Sequence, residues 1–150
     1  SLLQFYNSLH VQHPEIQEAF MAHTGWYNHK STPYVVSYDK TLGSKLMSNN
    51  ILLGFTATNV GFYGPQGRKL RLEIQDNNLN DKLAAFKYND LKITNLEMET
   101  SGIYGLAKLL GHRAVSMNCI LANRSTGHFS KNPKASTEKL IQYTLEKITK

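Results

Sequence analysis

Residues 91–111 read LKITNLEMETSGIYGLAKLLG, and they constrain the fold more than any other stretch. Leu91, Ile93 and Asn95 alternate with Lys92, Thr94 and Leu96, the period of two expected of a β-strand. Glu97, Met98 and Glu99 follow, and Thr100 or Ser101 can cap a helix. Ile103, Leu106, Ala107 and Leu110 then fall at helical spacing, and Gly111 stands where a terminal glycine ends a helix. A strand running directly into a helix puts its last residues at the sheet edge where open α/β folds bind ligands. Period two places Glu97 and Glu99 on one face if the strand reaches that far. The two carboxylates are then either ligand groups or solvated helix-start acids favoured by the macrodipole, and spacing alone favours the second.

The flanking chain repeats the alternation of strand and helix. Residues 1–9 are apolar with aromatics and predict a short helix or an extended piece. Pro14-Glu15 opens a helix that carries Ile16, Ala19, Phe20 and His23 on one face. Residues 24–33 are turn-rich and predict an exposed loop. PYVVSY (33–38) is extended, and Asp39 can cap a short helix through Met47. ILLGFTAT (51–58) predicts a buried strand that empties into a glycine- and proline-rich loop, NVGFYGPQGRK. Residues 80–88 predict a helix through Leu83, Ala84 and Phe86. AVSMNCILAN (114–123) predicts a second buried strand, 123–132 a polar loop, and Pro133 the start of an amphipathic closing helix. This is one α/β domain over residues 1–150 with a mixed, mostly parallel sheet flanked by helices.

Composition narrows the function classes. The 150 residues suffice for one real core, and 41% hydrophobic content excludes a disordered chain. A net charge of +6 admits nucleic acid, a membrane surface or an anionic small substrate. The basic residues are scattered without a run of five, which argues against nucleic acid. No apolar run is long enough to span a bilayer, so no membrane partner is expected. Cys119 is the one cysteine; it reads as packing and suits a reducing, cytoplasmic setting. Asn123-Arg124-Ser125 matches a glycosylation sequon, which matters only in a secreted protein. The chain begins at Ser1 inside an apolar segment, as the interior of a longer protein would.

Three strand ends converge if the sheet is parallel there: 56–58 leading to Phe62, Gln66 and Arg68; Glu97-Met98-Glu99; and Leu121 to Arg124. Together they offer aromatic, amide, guanidinium, carboxylate and thioether groups, a set suited to a planar polar ligand carrying a sugar. Arginine and glutamine can bond a heterocycle in its plane, and an ionised carboxylate can accept from two vicinal hydroxyls. Phe62 and Met98 can supply faces for ring and sugar. Taken singly, each has a plainer reading: Phe62 and Met98 as core, Gln66 and Arg68 as solvated loop, Arg124 as surface charge. His10, His13 and His23 lack a completing cysteine or acid, so no metal is expected. No phosphate loop or nucleophile elbow appears.

FTATNVGFYGPQGR, NLEMETSGIYGLAKLLGHRA and NCILANRSTG together resemble the nucleoside phosphorylase superfamily, the uridine phosphorylase branch most closely. The likeness runs from about residue 33 to the C-terminus. It implies a three-layer α/β fold and reversible phosphorolysis of a pyrimidine nucleoside to free base and ribose 1-phosphate. By resemblance, Phe62 packs on the pyrimidine while Gln66 and Arg68 bond its polar edge. Met98 and Glu99 hold the ribose, Glu97 belongs to the same motif, Ile120 and Leu121 wall the base pocket, and Arg124 lies in a flap near it. Arg68 and Glu99 carry the catalysis. Nucleoside and inorganic phosphate are the substrates, no other cofactor is needed, and a homo-oligomer, dimer or hexamer, is implied. The chain departs from the family in two ways. Gly64-Pro65 reverses the usual order, and family members are roughly double this length, with a phosphate site in an N-terminal half not recognisable here. The chain thus resembles a C-terminal half, a partial domain. The alternatives are a purine phosphorylase or nucleosidase of the same superfamily, a catalytically silent half-domain, and a basic nucleic-acid-binding module.

Overall fold

The computed structural model describes residues 2–26, 30–123 and 126–149. Its centre is the expected strand-to-helix unit. β3 spans Leu91–Glu97 and α4 spans Thr100–Leu109. Gly111 follows the helix in the left-handed region at φ 75°, where a side chain would be strained. β1 (Phe55–Thr58) lies parallel to β3, pairing Thr56 with Asn95, Ala57 with Leu96 and Thr58 with Glu97. The Thr56 hydroxyl donates to the Asn95 side chain at 2.9 Å, so the register is also fixed by side chains.

The other edge of β3 carries a strand that the sequence reading assigns to a helix. α3 (Leu79–Ala85) stops before Phe86, and β2 (Lys87–Tyr88) pairs antiparallel with Leu91 and Lys92. Asn89, at φ 52°, makes the tight turn between them, because asparagine tolerates the left-handed region better than most residues. The resulting mixed sheet has the order β1-β3-β2, with the longer β1–β3 ladder parallel and the short β2–β3 ladder antiparallel.

The two long apolar runs also depart from expectation. Only Phe55–Thr58 of 51–58 is paired, and Leu52 is 86% exposed. Most of 114–123 is extended without a ladder partner among the described residues, apart from β4 (Ala122–Asn123), which forms a small hairpin with β5 (His128–Phe129). Apolar sequence identifies a segment that needs burial; a strand also needs a neighbour for its backbone groups.

α1 (Pro14–Thr24), α2 (Lys40–Leu46) and α5 (Pro133–Ile148) start where their capping signals lie. Asp39 accepts from the Leu42 amide at 2.7 Å and Asn132 from the Ala135 amide at 3.1 Å. Residues 2–5 and 9–11 form single 3-10 turns. Leu3 is fully buried against Gly105 of α4, where a Cβ would meet the leucine side chain at 2.8 Å. The compact core is small. Leu79, Leu83 and Phe86 from the α3 region are buried, and Phe86 stacks edge-on to Phe20 at 5.4 Å. Leu46 of α2 is also buried, beneath α5, whose Tyr143 hydroxyl donates to the Leu46 carbonyl at 2.6 Å.

The surface is correspondingly large. A folded monomer of 17.0 kDa exposes about 7,700 Å² by the usual mass scaling. This chain exposes 10567 Å². A wide apolar cleft of about 2310 Å³ opens along β1 and β3, lined among others by Val36, Leu52, Phe55, Leu72 and Val115. A nucleoside-sized ligand needs a fraction of that volume.

Candidate active site

The site is built where β1 and β3 end side by side. Thr58 and Glu97 are register partners, and the chain leaves β1 through Asn59, whose amide still donates to the Glu97 carbonyl at 2.8 Å. The loop from β1 folds back through a 3-10 turn at Gly64–Gln66, stabilised by the Arg68 amide donating to the Tyr63 carbonyl at 3.0 Å. Gly67 adopts φ 71°, and a Cβ there would lie 2.6 Å from the Asn80 side chain, so only glycine fits the turn. The Arg68 guanidinium carbon lies 3.5 Å from the centre of the Phe62 ring, a cation–π stack, and Tyr63 meets Phe62 edge-on at 5.3 Å. Phe62 remains 46% exposed, whereas Gln66 is buried at 2%. The loop therefore presents a ring backed by a guanidinium, while the glutamine is buried.

The strand does not persist to Glu99. β3 ends at Glu97, and Glu99 is the residue that caps α4. Neither Thr100 nor Ser101 supplies the cap with its side chain, as the sequence reading has it. The Glu97 carboxylate turns back instead, accepting from the amides of Glu99 at 2.8 Å and Thr100 at 2.7 Å. The Thr58 hydroxyl donates to the other Glu97 oxygen and accepts from the Ser101 amide at 3.0 Å. Burial pushes the Glu97 carboxyl up, but the hydrogen bonds from Thr58 and from the Glu99 and Thr100 amides outweigh it and hold the group below the ordinary carboxylate value. Burial is also the main reason the Tyr104 hydroxyl is raised, with the Glu97 and Tyr38 charges adding to it. Tyr104 accepts from the Ser116 amide at 2.7 Å, which ties residues 112–121 to α4.

A stability consequence follows from Glu97. Its contribution is fully present above the unfolded carboxylate value, about 4.3, and is lost as pH falls through its lower native value. Glu97→Gln is expected to cost about 1 kcal/mol at neutral pH, on the scale of a lost helix cap. Melting temperatures of the two proteins should converge as the pH is taken toward 3; parallel curves would remove Glu97 from the acid transition.

Met98 and Glu99 are both exposed, and both border the cleft together with Tyr63 and Arg68. The structure thus brings Arg68, Met98 and Glu99 to one opening, with Phe62 stacked on Arg68. Ile120 also borders the cleft but is 57% exposed, and Leu121 sits at the root of the β4–β5 hairpin, its carbonyl accepting from the Ser130 amide at 2.8 Å. The third strand end is therefore a hairpin beside the sheet and not a third parallel edge. Arg124 and the sequon's Ser125 lie outside the described residues, as does part of the 24–33 loop. Asn123 accepts from the Thr126 amide at 3.2 Å, a turn contact. Thr58 is the residue that sequence reasoning passed over. Its only signal is a hydroxyl at the last position of a strand, which is too common to read without the register.

With this geometry in place, comparison with known proteins is informative. No family model matches the chain. Uridine phosphorylase of Thermococcus kodakarensis is 36% identical over 85 residues, which cover 53% of this chain and 28% of that protein. The crystal structure of Trypanosoma brucei nucleoside phosphorylase, which shows uridine phosphorylase activity, superimposes with a TM-score of 0.62 at 26% identity over 92% of this chain and 42% of that one. The chain is uridine-phosphorylase-like and has part of the nucleoside phosphorylase fold. It spans well under half the length of either relative. Among the described residues, no helix is long and apolar enough to cross a membrane and no three His, Cys, Asp or Glu side chains are grouped as a metal site. His23 bonds the Lys82 carbonyl at 3.0 Å, and His13 bonds Ser37 at 2.6 Å.

Proposed function

We propose that this chain supplies the base- and sugar-reading side of a uridine phosphorylase, a pentosyltransferase that converts a uridine-like nucleoside and phosphate into free base and ribose 1-phosphate. The observation that carries the reading is the meeting of Arg68, stacked on Phe62, with Met98 and Glu99 at the ends of two paired strands. Breaking the glycosidic bond leaves positive charge on the sugar and negative charge on the departing base. Arg68, with Gln66 behind it, stabilises the base anion more than the bound nucleoside, which is where binding energy accelerates a reaction. Glu99 accepts hydrogen bonds from the vicinal hydroxyls and fixes the sugar for in-line attack. Ile120 and Leu121 add apolar wall, Arg124 covers the base, and no metal or organic cofactor takes part.

The helix end that most resembles an anion site is already filled by the Glu97 carboxylate, so phosphate is held by groups beyond these residues. The active species is a cytoplasmic homo-oligomer working in pyrimidine salvage. A purine is disfavoured because its departure calls for an acid that protonates the ring, and Asn123, where purine-acting relatives place an aspartate, has no proton to give. Uracil needs none, since its anion spreads onto carbonyl oxygens facing Arg68. The test is turnover of uridine, thymidine, inosine and adenosine at saturating phosphate by the chain supplemented with the complementary part of a uridine phosphorylase. Uridine is expected to lead the purines by roughly 10⁴-fold in kcat/KM, the scale on which a polar site rejects a mismatched partner. Inosine or adenosine turning over as fast as uridine would move the protein to the purine branch.

A further inference from the structure

We propose that Thr58 and Glu97 form a latch between β1 and the first turn of α4 that positions Glu99 for the sugar. In this arrangement Thr58 is a positioning residue that touches no part of the substrate, and the proposal rests on the reading of Glu99 as the sugar ligand. Glu97 and Glu99 are two residues apart but do different work. Both oxygens of Glu97 are engaged, one by the Thr58 hydroxyl and one by the Glu99 and Thr100 amides. Three hydrogen bonds use most of what a carboxylate can accept. Glu97 is therefore a structural group within a motif whose resemblance places it in the ribose pocket. Glu99 stands at the end of the helix with non-helical backbone, φ −129° and ψ −35°, and borders the cleft.

The latch decides where that helix end lies. Without it, the leading amides of α4 have no intrahelical partner. Thr58 takes the Ser101 amide and holds Glu97 for the two amides before it, so one hydroxyl from the neighbouring strand organises the whole turn. Two further contacts brace the same turn from other directions: Tyr34 with the Ser101 hydroxyl at 3.0 Å, and Thr100 with Ser116 at 3.3 Å. Neither replaces a bond to the amides.

Thr58→Val keeps shape and β-branching but removes the hydroxyl, and Thr58→Ser keeps the hydroxyl. Both are to be compared with the unsubstituted chain, each supplemented with the complementary part of a uridine phosphorylase, on uridine and on 2′,3′-dideoxyuridine, which lacks both hydroxyls that Glu99 would bind. Thr58→Val is expected to lower kcat/KM for uridine on the order of 10²-fold, the usual consequence of a small misplacement, and to lower that for the dideoxynucleoside far less. Thr58→Ser should recover most of the loss. In parallel, hydrogen exchange at the Glu99, Thr100 and Ser101 amides should accelerate in the valine variant and not in the serine variant, with the C-terminal amides of α4 unchanged. Equal losses on both nucleosides would overturn the positioning role, and unchanged exchange would overturn the latch. A chain that turns over no nucleoside even when joined by the complementary part of a uridine phosphorylase would sink the functional reading and the sugar role with it, while the exchange comparison would still decide the latch.

Discussion

Glu99→Ala, in the chain completed by the rest of a uridine phosphorylase, is expected to reduce kcat/KM for uridine by about 10²-fold while leaving the fold intact. A hydrogen bond to a charged acceptor contributes about 1.5–3 kcal/mol, and each 1.4 kcal/mol of lost transition-state stabilisation is tenfold in rate. Glu99 is exposed in this chain, so that strength is reached only when substrate and surrounding protein shield it. Stability should change little, because the Glu99, Thr100 and Ser101 amides are satisfied by Glu97 and Thr58, and the Glu99 carboxylate takes only a long bond from the Met98 amide at 3.3 Å. The fitting controls are Glu138→Ala and Glu146→Ala on the exposed α5, expected to be neutral in turnover. Near-native kcat/KM in Glu99→Ala would remove this residue from the sugar site.

The second large effect concerns completeness. The chain alone is expected to release no measurable uracil from uridine and phosphate, and to bind apolar dyes and associate at micromolar concentration. Its exposed area exceeds the scaling value by about 2,900 Å², more than a standard interface buries on one side. Leu52, Leu70 and Leu72 line the cleft and are largely exposed, and β1 presents an unpaired edge among the described residues. Adding the complementary part of a uridine phosphorylase as a separate polypeptide should raise the melting temperature, suppress dye binding and bring turnover above background. Robust turnover by the chain alone would show that its phosphate ligands are already present within these residues.

Much of this architecture could be read before any coordinates. The unit from Leu91 to Gly111 declares itself because two periodicities meet at a capped junction, and both are local properties. The cap at Asp39 and the proline starts of α1 and α5 are local as well. The failures share a cause. Lys87–Tyr88 continues an apolar helical pattern, yet the Asn89-Asp90 turn and the partner strand β3 take it into a hairpin. The 51–54 and 114–121 runs have the composition of buried strands, but pairing depends on chain elsewhere in the fold. The cluster of Phe62, Arg68, Met98 and Glu99 could be listed from residue types, whereas the engagement of Glu97 by Thr58 and the helix amides, which underlies its proposed division of work with Glu99, could not. That division depends on which oxygen meets which amide, and it is set by Thr58 across the sheet.

The parallel pairing of β1 with β3 also acts as a gauge. Under the proposed function, one strand leads to the loop that would face the ring and the other to the carboxylate that would face the sugar, so the ladder between them would set the span across which a glycosidic bond must fit. A slip of one residue would move one reader about 3.3 Å against the other and turn its side chains to the opposite face. A change confined to residues 62–68 leaves the gauge untouched. On that reading the choice of base could drift during evolution while the grip on the pentose is inherited unchanged, with the two halves of the nucleoside selected on separate strands.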